Sequence, residues 1–386
     1  MRSIQFLVFF SVVITIHLLV NSYIYFRGLR TFDTLSSERT YFTVIYWFLA
    51  LSYIVGRVLE RTYPGAMSNF FTWTGSFWLA AMLYLFLIVL TIDIFRLADH
   101  FFPFIDKVLP DFILQKPKLI TYAVLSFVFL LIAAGHLNAI FPRTHHLTIE
   151  LKGKKTDRDE LTMAVVSDIH LGTIVSKNRI RRIVDQINAT HPDVILLAGD
   201  IVDEDLAPVI SENLGATLTK LKAPLGVIGI TGNHEYIGGV EPAVKYLREH
   251  GINILRDSVV EIARNIFVVG REDLQSKTFG SKGRKDLREF NPKNNDTITT
   301  ILLDHQPAAI AEAEDNKADL MLSGHTHHGQ IWPLNYITSA VYRLSWGYKQ
   351  FGDTHAYVSS GIGSWGPPVR IGNRPEVVVI TLKFVE

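Results

Sequence analysis

The chain has 386 residues, enough for two domains, with 48% hydrophobic and 19% charged residues and a net charge of +1. A balance this close to neutral leaves no electrostatic footprint for a nucleic-acid partner. Cysteine is absent, which excludes a disulfide framework and thiolate metal sites.

The apolar residues crowd into the first third. Four runs read as transmembrane helices: Ile4–Phe26, Tyr41–Val55, Phe77–Phe95 and Leu119–Phe141. A helix needs about 20 apolar residues to cross the hydrocarbon, so the second run is the shortest of the four for the task. The first run has the basic start of a signal peptide at Arg2. It lacks a small-residue cleavage site and three more runs follow, so it reads as a retained span. Trp47, Trp73, Trp78, Tyr84 and Tyr122 suit interfacial belts. The connections after the first and third runs carry Arg27, Arg30, Arg39, Arg96, Lys107, Lys116 and Lys118, against Arg2, Arg57 and Arg61 on the other side. The positive-inside rule then places the C-terminal half on the extracytoplasmic face. Asp93, His17 and His136 are single and scattered, so we expect them to be satisfied by neighbours and not to line a transport path. Without internal repeats or broken helix pairs, a transporter is disfavoured.

The pattern changes near residue 142. The sequence predicts a membrane domain over 1–142, a linker over 143–158 marked by Arg143, Lys152, Lys154 and Lys155, and a soluble domain over 159–386. In that domain Leu161–Ser167, Val194–Ala198, Leu225–Thr231, Ile266–Val269, Thr297–Leu303, Leu320–Ser323, Ala356–Ser359 and Val377–Leu382 read as strands. Several are apolar throughout, as expected when both faces are covered. Helical patterns alternate with the early strands. Ile180, Ile183, Val184 and Ile187 share a face after the candidate cap Ser176, and Pro242 and Gly251 bracket a second helix. Alternation of this kind predicts an α/β domain with a central sheet and outer helices, whose site lies beyond the carboxyl ends of the strands.

Polar motifs stand at those ends. Asp168-Ile-His170 follows the first strand, and an extended segment would point both side chains to one side. Gly199-Asp200-Ile-Val-Asp203 follows the second strand and Gly232-Asn233-His234-Glu235 the third. Asp304-His305 and Gly324-His325-Thr-His327 follow later ones. Each motif alone is an ordinary turn. Together they gather carboxylate, imidazole and amide groups with no sulfur, the donor set of hard-to-borderline divalent ions such as Mn, Fe, Zn or Mg. Two such ions clamp a phosphoryl oxygen and generate hydroxide near neutral pH, with no covalent nucleophile or Gly-rich phosphate loop required.

The ordered set resembles the calcineurin-like metallophosphoesterase superfamily, whose pattern is D-x-H, G-D-x-x-D, G-N-H-[ED], a lone His, and G-H-x-H. All five blocks occur between about Leu161 and Gln330. Gly329-Gln330, the segment from Ser359 to Arg370, and the four spans resemble its membrane-associated branch, the transmembrane proteins with a metallophosphoesterase domain. The resemblance implies a four-layer αββα sandwich preceded by a four-helix membrane domain, and a membrane-anchored phosphodiesterase or pyrophosphatase in the bacterial plasma membrane. It implies two divalent ions, Mn first among the candidates. One is held by Asp168, His170, Asp200 and His327. The other is held by Asp200, Asn233, His305 and His325, with Asp200 bridging. His234 then faces the substrate and Asp203 orients it. Protein phosphatases of this superfamily carry Arg-Gly after the second block, where this chain has Glu204-Asp205, which argues against a phosphoprotein substrate. A phosphoester tied to a lipid or the cell envelope suits a site carried on a bilayer anchor. Trp332, Tyr336, Trp346, Tyr348 and Trp365 are candidates for an apolar rim, and Arg370 for a second phosphate contact or a structural pair. The alternative from another class is a catalytically silent, membrane-anchored binding or sensing module.

Overall fold

The computed structural model describes residues 2–105, 116–279, 283–292 and 296–385. Lys107, used above in the charge count, lies outside them. The chain divides into two compact units, Met1–Gly135 and His136–Glu386.

The first unit contains α1 (Arg2–Leu29), α2 (Ser37–Thr62), α3 (Ala66–Phe101) and most of α4 (Pro117–Ile140). All four are long and apolar enough to cross a membrane. The second is a 26-residue helix, longer than its apolar run, because polar turns extend it at both ends. It begins where the Ser36 hydroxyl accepts from the Arg39 amide. Small residues let α2 and α3 approach closely. A Cβ on Gly56 would lie 2.6 Å from the Thr72 nitrogen, and one on Gly75 would lie 2.1 Å from that of Tyr53. The polar groups find partners, as expected. His17 Nε2 lies 2.8 Å from the Ala50 carbonyl, and Asp93 pairs with Arg27 at 2.7 Å. Asn21 accepts from Trp78 Nε1 at 2.9 Å.

The second unit opens with β1 (Arg143–Lys152), which occupies most of the expected linker. Its alternation was hidden by His145, which stands among the apolar alternates Leu147, Ile149 and Leu151. There follow β2 (Glu160–Val166), α5 (Lys177–Asn188), β3 (Val194–Ala198), β4 (Val227–Ile230), α6 (Asn233–Gly238), α7 (Val240–Glu249), β5 (Asn253–Leu255), β6 (Ser258–Ala263), β7 (Ile266–Gly270), β8 (Thr299–Leu303), α8 (Ile310–Asp315), β9 (Leu320–Ser323), α9 (Asn335–Val341), β10 (Gly347–Phe351), β11 (Thr354–Val358) and β12 (Glu376–Val385). One sheet runs β1-β12-β2-β3-β4-β5 and the other β10-β11-β9-β8-β7-β6. From β2 to β5 and from β11 to β7 the neighbours are parallel.

Strand periodicity explains the layers. Met163, Val165, Leu196, Ile301, Leu303, Leu320 and Leu322 fill the space between the sheets. Their alternates Ala164, Val166, Ile195 and Leu197 face outward and pack with Ile180, Ile183, Val184 and Ile187 of α5. On the other sheet Leu302 and Met321 pack with Ile310 and Ala313 of α8. Helix, sheet, sheet, helix is the four-layer αββα arrangement, with both sheets buried on both faces. Each fully buried Leu or Ile contributes about 1.5–3 kcal/mol, so these strands specify the fold strongly.

Candidate metal centre

The polar motifs meet where β2, β3, β4, β8 and β9 end. The backbone is bent there at some cost. Asp168, His170, Asp200, His325 and His327 have φ of 53°, 51°, 50°, 70° and 46°. Left-handed backbone is uncommon outside glycine, though Asp and His adopt it more readily than most, and five such residues in the candidate ligand loops form a local concentration of it. The convergence of Asp168 and His170 is therefore a correction to the sequence reading. They come together through two left-handed turns and not through the alternation of an extended strand. Gly199 has φ 87°, and a Cβ there would lie 2.5 Å from His305 Nδ1. One on Gly232 would lie 2.2 Å from Asp200 Oδ1.

Two groups form. The candidate ligand atoms of Asp168, His170 and His327 all lie within 4.8 Å of one another, as do those of Asp200, His305 and His325. In the first, His170 Nε2 is 3.1 Å from His327 Nε2 and 3.9 Å from Asp200 Oδ2. In the second, Asn233 Oδ1 is 2.7 Å from His325 Nδ1 and 3.2 Å from His305 Nε2, and His305 Nε2 is 3.1 Å from Asp200 Oδ2. Asp200 thus touches both groups. Its other oxygen accepts from the His234 amide at 2.9 Å, and Asp168 accepts from the His325 amide at 3.0 Å. The ligand loops are thereby tied to one another.

Electrostatics favour cations. Burial, then the His234 charge, pushes His170 down to about 3. Burial, then His305, pushes His325 down to about 4. Burial, then Arg370, holds His327 well below its usual range. Neutral imidazoles are the metal-binding form. His305 Nδ1 donates to the Ala198 carbonyl at 2.7 Å, which turns Nε2 into the site. Burial opposes the charge of Asp200, yet His305 and His234 hold it well below the usual carboxylate range. Asp200 in turn keeps His305 protonated against burial. Hard oxygen and imidazole donors, mutually facing and buried, fit divalent ions.

His234 is different. Its Nδ1 lies 2.9 Å from Asp203 Oδ1. Burial opposes its charge, but Asp200 and Asp203 raise it to about 9. A third group of possible ligands, His170, Asp203 and His234, shares this pair.

Other residues take roles that the sequence left open. Arg370 is fully buried. It donates to the carbonyls of Ser360 at 2.7 Å and Gly363 at 2.8 Å and reaches His327 Nδ1 at 3.0 Å, so it fixes the loop behind that histidine. Glu235 accepts from the Val202 and Gly232 amides at 2.9 and 2.7 Å, pinning the loop after β3 to the loop after β4. Asp304 turns away from the site and pairs with Arg284 at 2.5 Å. Among the rim candidates, Trp365 is 51% exposed and stands edge-on to His234 at 5.8 Å. Trp332 and Tyr336 are exposed, whereas Trp346 donates to Glu376 and Tyr348 meets His355 on the surface of the second sheet.

Residues 161–329 match the model of the calcineurin-like phosphoesterase family. An uncharacterized metallophosphoesterase of Campylobacter jejuni is 30% identical over 98% of this chain and 99% of its own length. One from Aquifex aeolicus is 34% identical over 66% of this chain and 97% of its own. A transmembrane protein with metallophosphoesterase domain from Danio rerio is 32% identical over 63% of this chain and 57% of its own length, so this chain spans little more than half of that relative. These relatives make the chain a metal-dependent phosphoester hydrolase. The chain belongs to the calcineurin-like metallophosphoesterase family, and its residues support divalent metal binding.

Proposed function

We propose that the chain is a membrane-anchored, dinuclear phosphodiesterase or pyrophosphatase acting on lipid-linked or cell-envelope phosphoesters. The observation that carries the reading is the pair of ligand groups sharing Asp200, with the His234–Asp203 pair beside them. Asp168, His170, Asp200 and His327 would hold one ion, and Asp200, Asn233, His305 and His325 the other. Mn is the first candidate and Fe, Zn and Mg are the others. When bound, the ions supply Lewis acidity toward phosphoryl oxygens and lower the pKa of water. His234, charged through its contact with Asp203, stabilises the developing negative charge and delivers a proton to the leaving oxygen. Asp203 fixes the ring, leaving Nε2 to face the reacting group. Trp365 borders His234 with an apolar edge, which supports an amphiphilic substrate.

The proposed division is a membrane domain over 1–142 and a catalytic domain over 159–386, to which the β1 strand of the expected linker is joined. The four apolar helices and the transmembrane relative support placement in a membrane, proposed here as the bacterial plasma membrane with the catalytic domain outside. The test is hydrolysis of bis-p-nitrophenyl phosphate by the purified full chain with Mn, against the same protein in chelator, followed by a screen of lipid-linked phosphoesters. Equal rates with and without chelator would refute the metal-dependent reading. For the side of the membrane, the natural absence of cysteine permits single-cysteine labelling at Lys317 in intact cells. Labelling only after lysis would overturn the outward placement.

A further inference from the structure

The second unit begins at His136, so the last turn of α4, residues 136–140, belongs to it. A helix ends in carbonyls that have no partner within it. Side chains of the second unit meet this end. Buried Arg179 donates to the Ala139 carbonyl at 3.0 Å. Just beyond the helix, Arg374 and Gln186 donate to the carbonyls of Phe141 and Pro142 at 2.9 and 3.3 Å. The turn also reaches out with its own side chains. His136 Nδ1 donates to the Pro368 carbonyl at 2.7 Å, and Asn138 Nδ2 donates to the carbonyls of Arg370 and Asn373 at 2.9 and 2.7 Å. Both amide hydrogens of Asn138 are thus engaged by one loop, residues 368–373.

That loop grips the segment that carries His327. Asn373 Nδ2 donates to the carbonyls of His327 and His328 at 2.9 and 3.0 Å, and Arg370 Nη1 donates to that of His327 at 3.2 Å. Two backbone bonds continue the contact. The Ile371 amide donates to the Gln330 carbonyl at 3.2 Å, and the Trp332 amide donates to that of Ile371 at 2.7 Å. His327 and His328 have φ of 46° and 45°. Left-handed backbone in such residues costs about 1–3 kcal/mol each and persists only where the surroundings over-determine it. The loop over 368–373 supplies that restraint, and Asn138 fixes the loop's own carbonyls. We propose that Asn138 is a positioning residue for the metal site. It acts through Asn373 and Arg370 to keep the His327 backbone where the ring Nε2 stands 3.1 Å from His170 Nε2 and 3.5 Å from Asp168 Oδ1. The proposal rests on the reading of His327 as a metal ligand. It starts the catalytic machinery inside α4, ahead of the boundary at 142.

The experiment titrates the metal-stripped full chain in detergent with Mn(II) and reads the free ion by electron paramagnetic resonance. The parent protein should bind two ions. Asn138→Asp keeps the shape of the side chain and removes both donors. It should weaken one ion about tenfold, the lower end of the roughly 10–100-fold cost of losing an outer contact to a ligand, and leave the other within about twofold. His327→Ala provides the discriminating background. A residue that works through His327 has little left to lose there, so adding Asn138→Asp to His327→Ala should change Mn affinity by less than about twofold. A general structural role would instead weaken both ions in both backgrounds. Asn138→Ala, which opens the two carbonyls to water, repeats the test without a new charge. Parent-like affinity in either folded variant, an undiminished effect in the His327→Ala background, or failure of both variants to fold would overturn the proposal. A parent protein that binds no Mn would refute the metal-site reading itself, and this proposal with it.

Discussion

Replacing His234 by Ala separates chemistry from metal binding. Its Nδ1 is held by Asp203 at 2.9 Å, its own carboxylate neighbours raise it to about 9, and Trp365 covers one edge at 5.8 Å. A positioned general acid contributes about 10²–10⁴ in rate, or about 2.7–5.4 kcal/mol of barrier. His234→Ala should therefore lower kcat for bis-p-nitrophenyl phosphate by that factor while two metals per chain remain, measured by elemental analysis of the reconstituted full-length protein. Asp203→Asn removes the charge but keeps an acceptor. A hydrogen bond to a charged group is worth about 1.5–3 kcal/mol, so its loss in rate should stay below roughly 150-fold. Because Asp203 raises the His234 pKa, Asp203→Asn lowers it. An activity that needs the imidazolium falls as pH rises through that pKa, so the alkaline fall should move to lower pH in the variant. The double variant should be no slower than His234→Ala alone, since both act through one proton donor. The reasoning is refuted if His234→Ala drops to one metal per chain, which would make the His170, Asp203 and His234 group a true metal site.

Asp200→Asn should lose most activity and at least one metal, because Asp200 lies against both ligand groups; elemental analysis and the same diester assay check it. Gly199→Ala should also lose metal, since its Cβ would come within 2.5 Å of His305 Nδ1 at a φ of 87°, and partial or full retention of two ions would show that the loop relaxes. Metal loading should release protons, with His305 giving up the one it shares with Asp200 as the cation takes its place; calorimetry in buffers of different ionisation enthalpy reads the number, and zero would refute it. Arg370→Leu leaves buried carbonyls of Ser360 and Gly363 without donors, a loss of about 3 kcal/mol that should lower Tm by about 6–12 °C in a thermal melt of the full chain.

The strands easiest to read were those sandwiched on both faces. Val194–Ala198 and Leu320–Ser323 have the bounds expected from their unbroken apolar runs, because a strand covered by helices on one side and a sheet on the other must be apolar at every position. Elements at the edges left weaker marks. The strands β6 and β10 have one exposed face and mixed polarity, and β5 is three residues long, so no periodicity announces them. The strand at 143–152 is read only through its parallel pairing with β12, more than 200 residues away in sequence. Long-range pairing of that kind has no local signature.

The ligands and the residues that hold them differ in the same way. A metal ligand must be a carboxylate, imidazole or amide oxygen at a strand end, and few other residues serve there, so type and position together betray it. A residue that holds a ligand in place has no such restriction of type. Glu235 sits inside a recognised motif, yet its task is to accept two amides, one of them from Val202, 33 residues away. Arg370 is 43 residues beyond His327 and works through carbonyls, which every residue possesses. The sequence allowed it a second phosphate contact or a structural ion pair, whereas its partners are backbone carbonyls and a histidine, which no local pattern announces. The left-handed backbone at Asp168 and His170 belongs to the same class. Nothing in Asp-Ile-His demands φ near 50°; the fold imposes it by donating the Asp168 and His170 amides to the Gly199 and Asp200 carbonyls at 3.0 Å. Side-chain chemistry names the atoms of such a site, and backbone pairing between distant loops decides where those atoms stand.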